Sequence, residues 1–193
     1  MKMEGRELER LLANHCAPVL CRHKTANLIA ARQELVQELP EILKGSRISW
    51  FRLCGCKKFC HLLFYDTERL EWYLALEPHR EFLQKYGYKQ DLSSMLALLA
   101  QRYEEFQKKG KPFPHEIGLF LEYPLEDIEG FIRFGGKNAL ESGYWKVYGN
   151  AEKARETFHF YDRLRWMMKS FLESGMTLCE SAEKLNKTAW NGM

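Results

Sequence analysis

The periodicity of the chain changes abruptly between residues 48 and 65. Ile48 to Cys54 and Phe59 to Tyr65 are rich in aromatic and β-branched side chains, and only Gly55-Cys56-Lys57-Lys58 separates them. Two such runs joined by a short glycine-containing segment predict a β-hairpin. A lone hairpin is marginal in water, so the remaining chain must cover it. Most of that remainder has helical spacing. Leu92, Met95, Leu96, Leu99, Tyr103 and Phe106 recur on one helical face, as do Ala154, Phe158, Tyr161, Leu164, Met168 and Phe171. The expectation is therefore an α+β fold.

Boundaries follow from local chemistry. Glu4 to Leu12 reads as an amphipathic helix interrupted at His15-Cys16-Ala17-Pro18, because the residue before a proline avoids the α region. A second helix is predicted near Ala26 to Leu43, kinked or split by Pro40 and ended by Gly45. Asp66 or Thr67 caps a helix that Pro78 redirects, and Asp91 caps one that Gly110 ends. Ile117 to Leu121 is apolar throughout and reads as a central strand covered on both faces. Pro124 opens a helix, with Glu126 and Asp127 complementing its dipole and Gly135 or Gly136 closing it. Tyr144 to Tyr148 alternates as a fourth strand. Asn150 caps a long helix to about Ser174, and Thr177 with Glu180 forms a capping box for the last one. Together these predict a small mixed sheet of about four strands, the hairpin plus a strand-helix-strand unit, flanked by several helices. No repeat or long linker divides residues 1–193, so a single globular domain is expected.

A chain of 193 residues, 46% hydrophobic and 28% charged, can bury a sizeable core without metal or disulfide support. Twenty-nine basic residues against 26 acidic leave a net charge of +3, which argues against a dedicated nucleic-acid binder. The N-terminus, MKMEGRELERLL, lacks an apolar signal region, and no run is long enough to span a membrane. A cytoplasmic location is expected, and with it free thiols rather than disulfides at Cys16, Cys21, Cys54, Cys56, Cys60 and Cys179.

Several groups could carry chemistry. Cys54, Cys56, Cys60 and His61 include metal-ligating types, but the C-x-C-x3-C-H spacing departs from zinc-site patterns, and Cys60 and His61 point to opposite faces of a strand. Buried thiols in and beside the hairpin are the plainer reading, and no metal is expected. His15, Cys16, Cys21 and His23, followed by Lys24 and Thr25, lie in a proline-containing segment where a thiol near basic groups could be activated. The plainer reading is a buried turn with satisfied polar groups. His115 and Glu116 open the Ile117 run and could serve acid–base work with distant partners, or simply be solvated there. Tyr148-Gly149-Asn150, with Lys146 and Lys153 nearby, is the best helix start for an anion, although no nucleotide-binding fingerprint occurs. Trp145 lies on the opposite face from Tyr144 and Tyr148 and could stack on a planar ligand.

Three segments carry a resemblance: His15-Cys16-Ala17-Pro18 with Lys24-Thr25-Ala26-Asn27-Leu28, PHEIGLFLEYPLEDIEGFI from Pro114 to Ile132, and GYWKVYGN from Gly143 to Asn150. Together they resemble the bacterial family called domain of unknown function 3793, in order and over nearly the whole chain. The resemblance implies a fold grouping, an anaerobic bacterial source and an association with iron-transport or flavodoxin-type genes, but no activity. It also implies departures: relatives carry Gly where Glu122 stands, Cys where Tyr144 stands, and a Cys near Leu164 to Trp166.

The leading expectation is a non-enzymatic binding or accessory protein tied to iron or redox metabolism. His15, Cys16, Lys24, Thr25, His115, Glu116, Trp145 and Lys146 would line one small-molecule pocket. A second reading is an enzyme on a small anionic substrate, with Cys16 as nucleophile, His15 or His115 as base, and Lys24 or Lys146 as anion anchor. A third is a protein-interaction module. The sequence specifies no cofactor.

Overall fold

The computed structural model describes residues 4–189. The expected hairpin is present: β2 (Ile48–Gly55) pairs antiparallel with β3 (Phe59–Asp66), with a register shift between Arg52 and Cys54. Its partner on the other side is β1 (Ala26–Arg32), also antiparallel, with Ala26 opposite Tyr65 and Arg32 opposite Phe59. β3 is thus the central strand of a three-stranded sheet. Central placement explains its composition, because Leu62, Leu63 and Phe64 are all fully buried and point alternately to the two faces.

One face packs on α1 (Glu4–Leu20), α8 (Ala151–Glu173) and α9 (Leu178–Ala189). Ile29, Ala31, Cys60, Leu62 and Phe64 meet Leu8, Leu12, Cys16, Leu164, Met168 and Leu185 there. The other face packs on α3 (Thr67–Ala75), α4 (Glu77–Gln84), α5 (Leu92–Lys109) and α6 (Ile117–Phe120), through Leu53, Leu63, Tyr65, Leu70, Leu99, Tyr103 and Phe120. Each fully buried leucine contributes roughly 1.5–3 kcal/mol of transfer free energy. The helix caps are as expected: Asp66 accepts from Arg69 N at 3.2 Å, Asp91 from Ser94 N at 2.8 Å and Asn150 from Lys153 N at 3.0 Å. Thr177 and Glu180 form the capping box, with Thr177 N donating to Glu180 at 2.8 Å and Glu180 N to Thr177 at 3.3 Å.

The α+β class holds, but four expectations are corrected. Ile117–Phe120 is a helical turn, not a strand: it lies between Pro114 and Pro124 and buries every side chain, which a short helix does as well as a central strand. Among the described residues there is consequently no strand-helix-strand unit, and every strand pair is antiparallel. The Tyr144 region contributes only β5 (Lys146–Val147), which pairs with β4 (Glu141–Ser142) in a separate two-stranded ladder. Ala26–Arg32 is a strand rather than the start of a helix, because it completes the pairing of β3. Finally, α1 runs through His15 and Cys16 to Leu20 with Pro18 inside it. Between β1 and β2 the chain makes a 3-10 turn (Gln33–Glu38) and the short α2 (Leu39–Ile42).

The segment after α6 continues as α7 (Leu125–Phe134), closed by Gly135 at φ 58°. No helix among the described residues is long and apolar enough to cross a membrane.

Candidate functional site

A cleft of about 330 Å³ opens between α6, α7 and the β4–β5 ladder. That volume is in the range of small-molecule sites. Phe113, Phe131, Tyr123 and Trp145 supply aromatic walls, Leu28, Ile117 and Ile128 add apolar surface, and His115 and Lys146 add polar groups.

The cleft is shaped by a buried carboxylate. Asp127, 3% exposed, lies in the first turn of α7. Its Oδ2 accepts the Trp145 indole N–H at 2.7 Å, and its Oδ1 accepts the backbone N–H groups of Tyr148 at 2.7 Å and Gly149 at 2.8 Å. Three donors on one carboxylate satisfy an otherwise costly buried charge. They also fix the Trp145 ring against α7. The helix and ladder approach closely because Gly130 has no side chain: a Cβ there would fall 2.5 Å from Tyr148 Cβ. Tyr123 then stacks on Trp145 with ring centroids 5.2 Å apart, and Phe158 of α8 meets the same indole edge-on at 4.6 Å.

Lys146 Nζ donates to Gly136 O at 2.5 Å and sits 5.8 Å from the centre of the Phe131 ring. Its ammonium has three donors, and its side chain is exposed at the cleft. His115 packs between Phe113 and Phe131, with ring centroids at 5.3 Å and 5.0 Å respectively. Burial lowers its pKa, against the pull of Glu116, so the ring is neutral at pH 7.

Glu116 faces elsewhere. Only 1% exposed, it accepts from Tyr88 OH at 3.1 Å and Arg102 Nε at 2.5 Å, tying the start of α6 to α5. The other four expected residues form a second group where α1 leads into β1. Cys16 is fully buried and burial pushes its thiol up to about 12. His15 is exposed on α1; its backbone carbonyl accepts from Asn27 Nδ2. Thr25 is 2% exposed, its N–H donates to Glu122, and its hydroxyl has no partner among the described residues. Lys24, also 2% exposed, donates to Asn27 Oδ1 at 3.0 Å, with its Nζ 5.2 Å from the Tyr123 ring centre and 5.8 Å from that of Tyr161. Burial lowers its pKa to about 8, with Glu122 and Cys16 pulling it back up.

Of the eight expected residues, the structure therefore brings His115, Trp145 and Lys146 to one cleft. His15, Cys16, Lys24 and Thr25 do not line it, although Tyr123 touches both Lys24 and Trp145. No cluster of three or more His, Cys, Asp or Glu side chains able to hold a metal occurs among the described residues.

A family model described as "Protein of unknown function (DUF3793)" matches residues 12–181. The chain belongs to that family. No curated protein and no solved structure matches it. In this DUF3793 chain, the part of the site that sequence reasoning missed is its frame. Asp127 reads as a dipole complement and Tyr123 as an unremarked aromatic, because their roles depend on partners distant in sequence: 18 to 22 residues away for Asp127, and as far as Lys24 for Tyr123. Glu122, which accepts the Thr25 N–H, has φ 56°, a conformation that favours glycine.

A larger groove of about 970 Å³ runs between α1, β1 and the α8–α9 junction. It is lined by both signs of charge, and in it Arg32 pairs with Glu7 and, at 2.7 Å, with Glu34.

Proposed function

We propose that this protein is a binding protein for a small planar aromatic molecule bearing an anionic group, held in the cleft beside Trp145. The observation that carries the reading is the composition of that cleft. Its walls are four aromatic rings, two of them already stacked, and a flat ligand extends that stack. Asp127 is saturated by three donors and His115 is neutral, so Lys146 is the charged group offered to a ligand. A tie to iron or redox metabolism enters only through the family resemblance.

The geometry does not favour Cys16 as a nucleophile, because its thiol is buried and protonated at neutral pH. A protein-interaction role draws on the exposed Ile132, Phe134 and Leu140 next to the cleft and on Trp72 and Trp166.

The test uses 8-anilinonaphthalene-1-sulfonate, an anion with a planar naphthalene ring whose fluorescence reports binding. Saturable binding to the wild type is expected, weakened about tenfold in Lys146→Met through loss of a charged hydrogen bond and more in Trp145→Ala. Trp166→Ala should bind as the wild type does. Equal affinity in the wild type and Trp145→Ala would overturn the reading.

A further inference from the structure

The turn of the β2–β3 hairpin carries chemistry that the cleft does not use. β2 ends at Gly55 and β3 starts at Phe59, leaving Cys56 exposed in the turn. Its Sγ accepts the Phe59 backbone N–H at 3.5 Å. The Arg52 guanidinium folds over the same turn: a Cβ on Gly55 would fall 2.2 Å from one of its terminal nitrogens. The backbone N–H groups of Phe59 and Lys58, and to a lesser extent Arg52, hold the Cys56 thiol below its ordinary pKa.

Two residues earlier, Cys54 Sγ lies 3.4 Å from Nδ1 of His61, its cross-strand partner. Burial raises the Cys54 pKa, so it waits as a thiol; burial lowers that of His61, so its ring is neutral and can accept a proton. Glu104 and Lys108 of α5 and Arg52 are the other charged groups around Cys54. Cys60 is no competitor, because it is buried in the core of the opposite face with its thiol directed at Ala31 O, 3.7 Å away.

We propose that Cys56 and Cys54 form a dithiol site that reacts with anionic low-molecular-weight disulfides and closes to a Cys54–Cys56 bridge. The Cys56 thiolate attacks one sulfur of the incoming disulfide; a new S–S bond forms on Cys56, and the other half leaves as a thiolate. Cys54 then passes its proton to His61 Nδ1 and attacks Cys56 Sγ, and the second half leaves as a thiolate that takes up a proton. In total one small disulfide is reduced to two thiols and the protein loses two hydrogens. Arg52, Lys57 and Lys58, all exposed, make the turn attractive to an anionic reagent. Two residues of extended strand span about 6.6 Å, near the upper end of the usual disulfide Cα separation of about 4.4–6.8 Å. The turn must tighten to close the bridge, which makes the product readily reducible. Such a bridge behaves as a redox switch rather than as a structural staple.

The reaction is followed by intact mass after mixing reduced full-length protein with oxidised glutathione. The expected course is gain of one glutathionyl group, then its loss with a net loss of two hydrogens. Cys56→Ser should give neither product. Cys54→Ser and Cys54→Ala should both stop at the mixed disulfide, so that a folding defect in one does not decide the matter. Arg52→Gln should slow the first step severalfold with oxidised glutathione but not with cystamine, a cationic disulfide. The proposal is overturned if Cys56→Ser is glutathionylated as fast as the wild type, if both Cys54 variants still release the glutathionyl group, or if the wild type does not react. Probe binding in the cleft is independent of every one of these outcomes.

Discussion

The two faces of the three-stranded sheet solve the same problem with different materials. The face covered by α1, α8 and α9 is an apolar core of leucines, alanines and thiols, with Leu8, Leu12, Leu62, Phe64 and Met168 all fully buried. The face covered by α3 to α6 continues into α7 and the β4–β5 ladder, and it includes Glu116 and Asp127, buried and hydrogen-bonded. Lys24 lies at the seam, between Tyr123 of the second region and Tyr161 of α8. Buried ionic groups are rarely needed for stability alone. Asp127 lines the cleft and Lys24 reaches it through Tyr123, whereas Glu116 ties α6 to α5, so under the proposed reading one face holds the protein together and the other also serves the cleft.

The largest effect should come from the apolar face. Phe64→Ala removes a fully buried ring from the central strand and should cost about 3–5 kcal/mol in chemical denaturation, leaving probe affinity in the folded fraction unchanged. A parallel loss of affinity would break the division of labour. Asp127→Ala should do the reverse: a smaller loss of roughly 2 kcal/mol, from three donors left to find water, with probe binding abolished because Trp145 is released.

The division also separates what could be read from the amino-acid order. The hairpin, the capped helices α3, α5 and α8, and the capping box of α9 were legible because their signals are local: alternation, an Asp or Asn at the start, Gly110 or Gly175 at the end. Ile117–Phe120 was misread because a short apolar run fits a buried helical turn and a buried strand equally well. Ala26–Arg32 was misread because Ala-Asn-Leu-Ile-Ala-Ala-Arg has good helix formers, and only pairing with β3 overrides them. Asp127 and Tyr123 could not be assigned, because their partners are set by the packing of α7 on β5.

Lys24 sharpens the comparison through pH. Its folded pKa of about 8 lies below the unfolded value of 10.5. Below pH 8 it is protonated in both states and its burial penalty is constant. Between pH 8 and 10.5 the unfolded chain holds the proton more tightly, so this residue's contribution to stability rises with pH, by up to a few kcal/mol. Buried Cys16 and Cys21, raised to about 12, act oppositely above pH 9. The measurable quantity is therefore the stability of the wild type minus that of Lys24→Met, which should climb from pH 8 to 10.5; a flat difference would place Lys24 in water. The smallest effect belongs to Lys146→Met, within about 0.5 kcal/mol in stability because the side chain is exposed, despite its weaker probe binding.

Ligand binding in the cleft beside Trp145 should be visible on the tryptophan side chains themselves. The most direct measurement is a two-dimensional ¹H–¹⁵N spectrum of the tryptophan indole N–H groups, assigned by single substitutions, during titration with 8-anilinonaphthalene-1-sulfonate. The Trp145 resonance, held by Asp127 at 2.7 Å, should shift progressively and saturate while those of Trp72 and Trp166 stay in place. A titration that moves Trp72 or Trp166 and leaves Trp145 where it was would rule out binding beside Trp145.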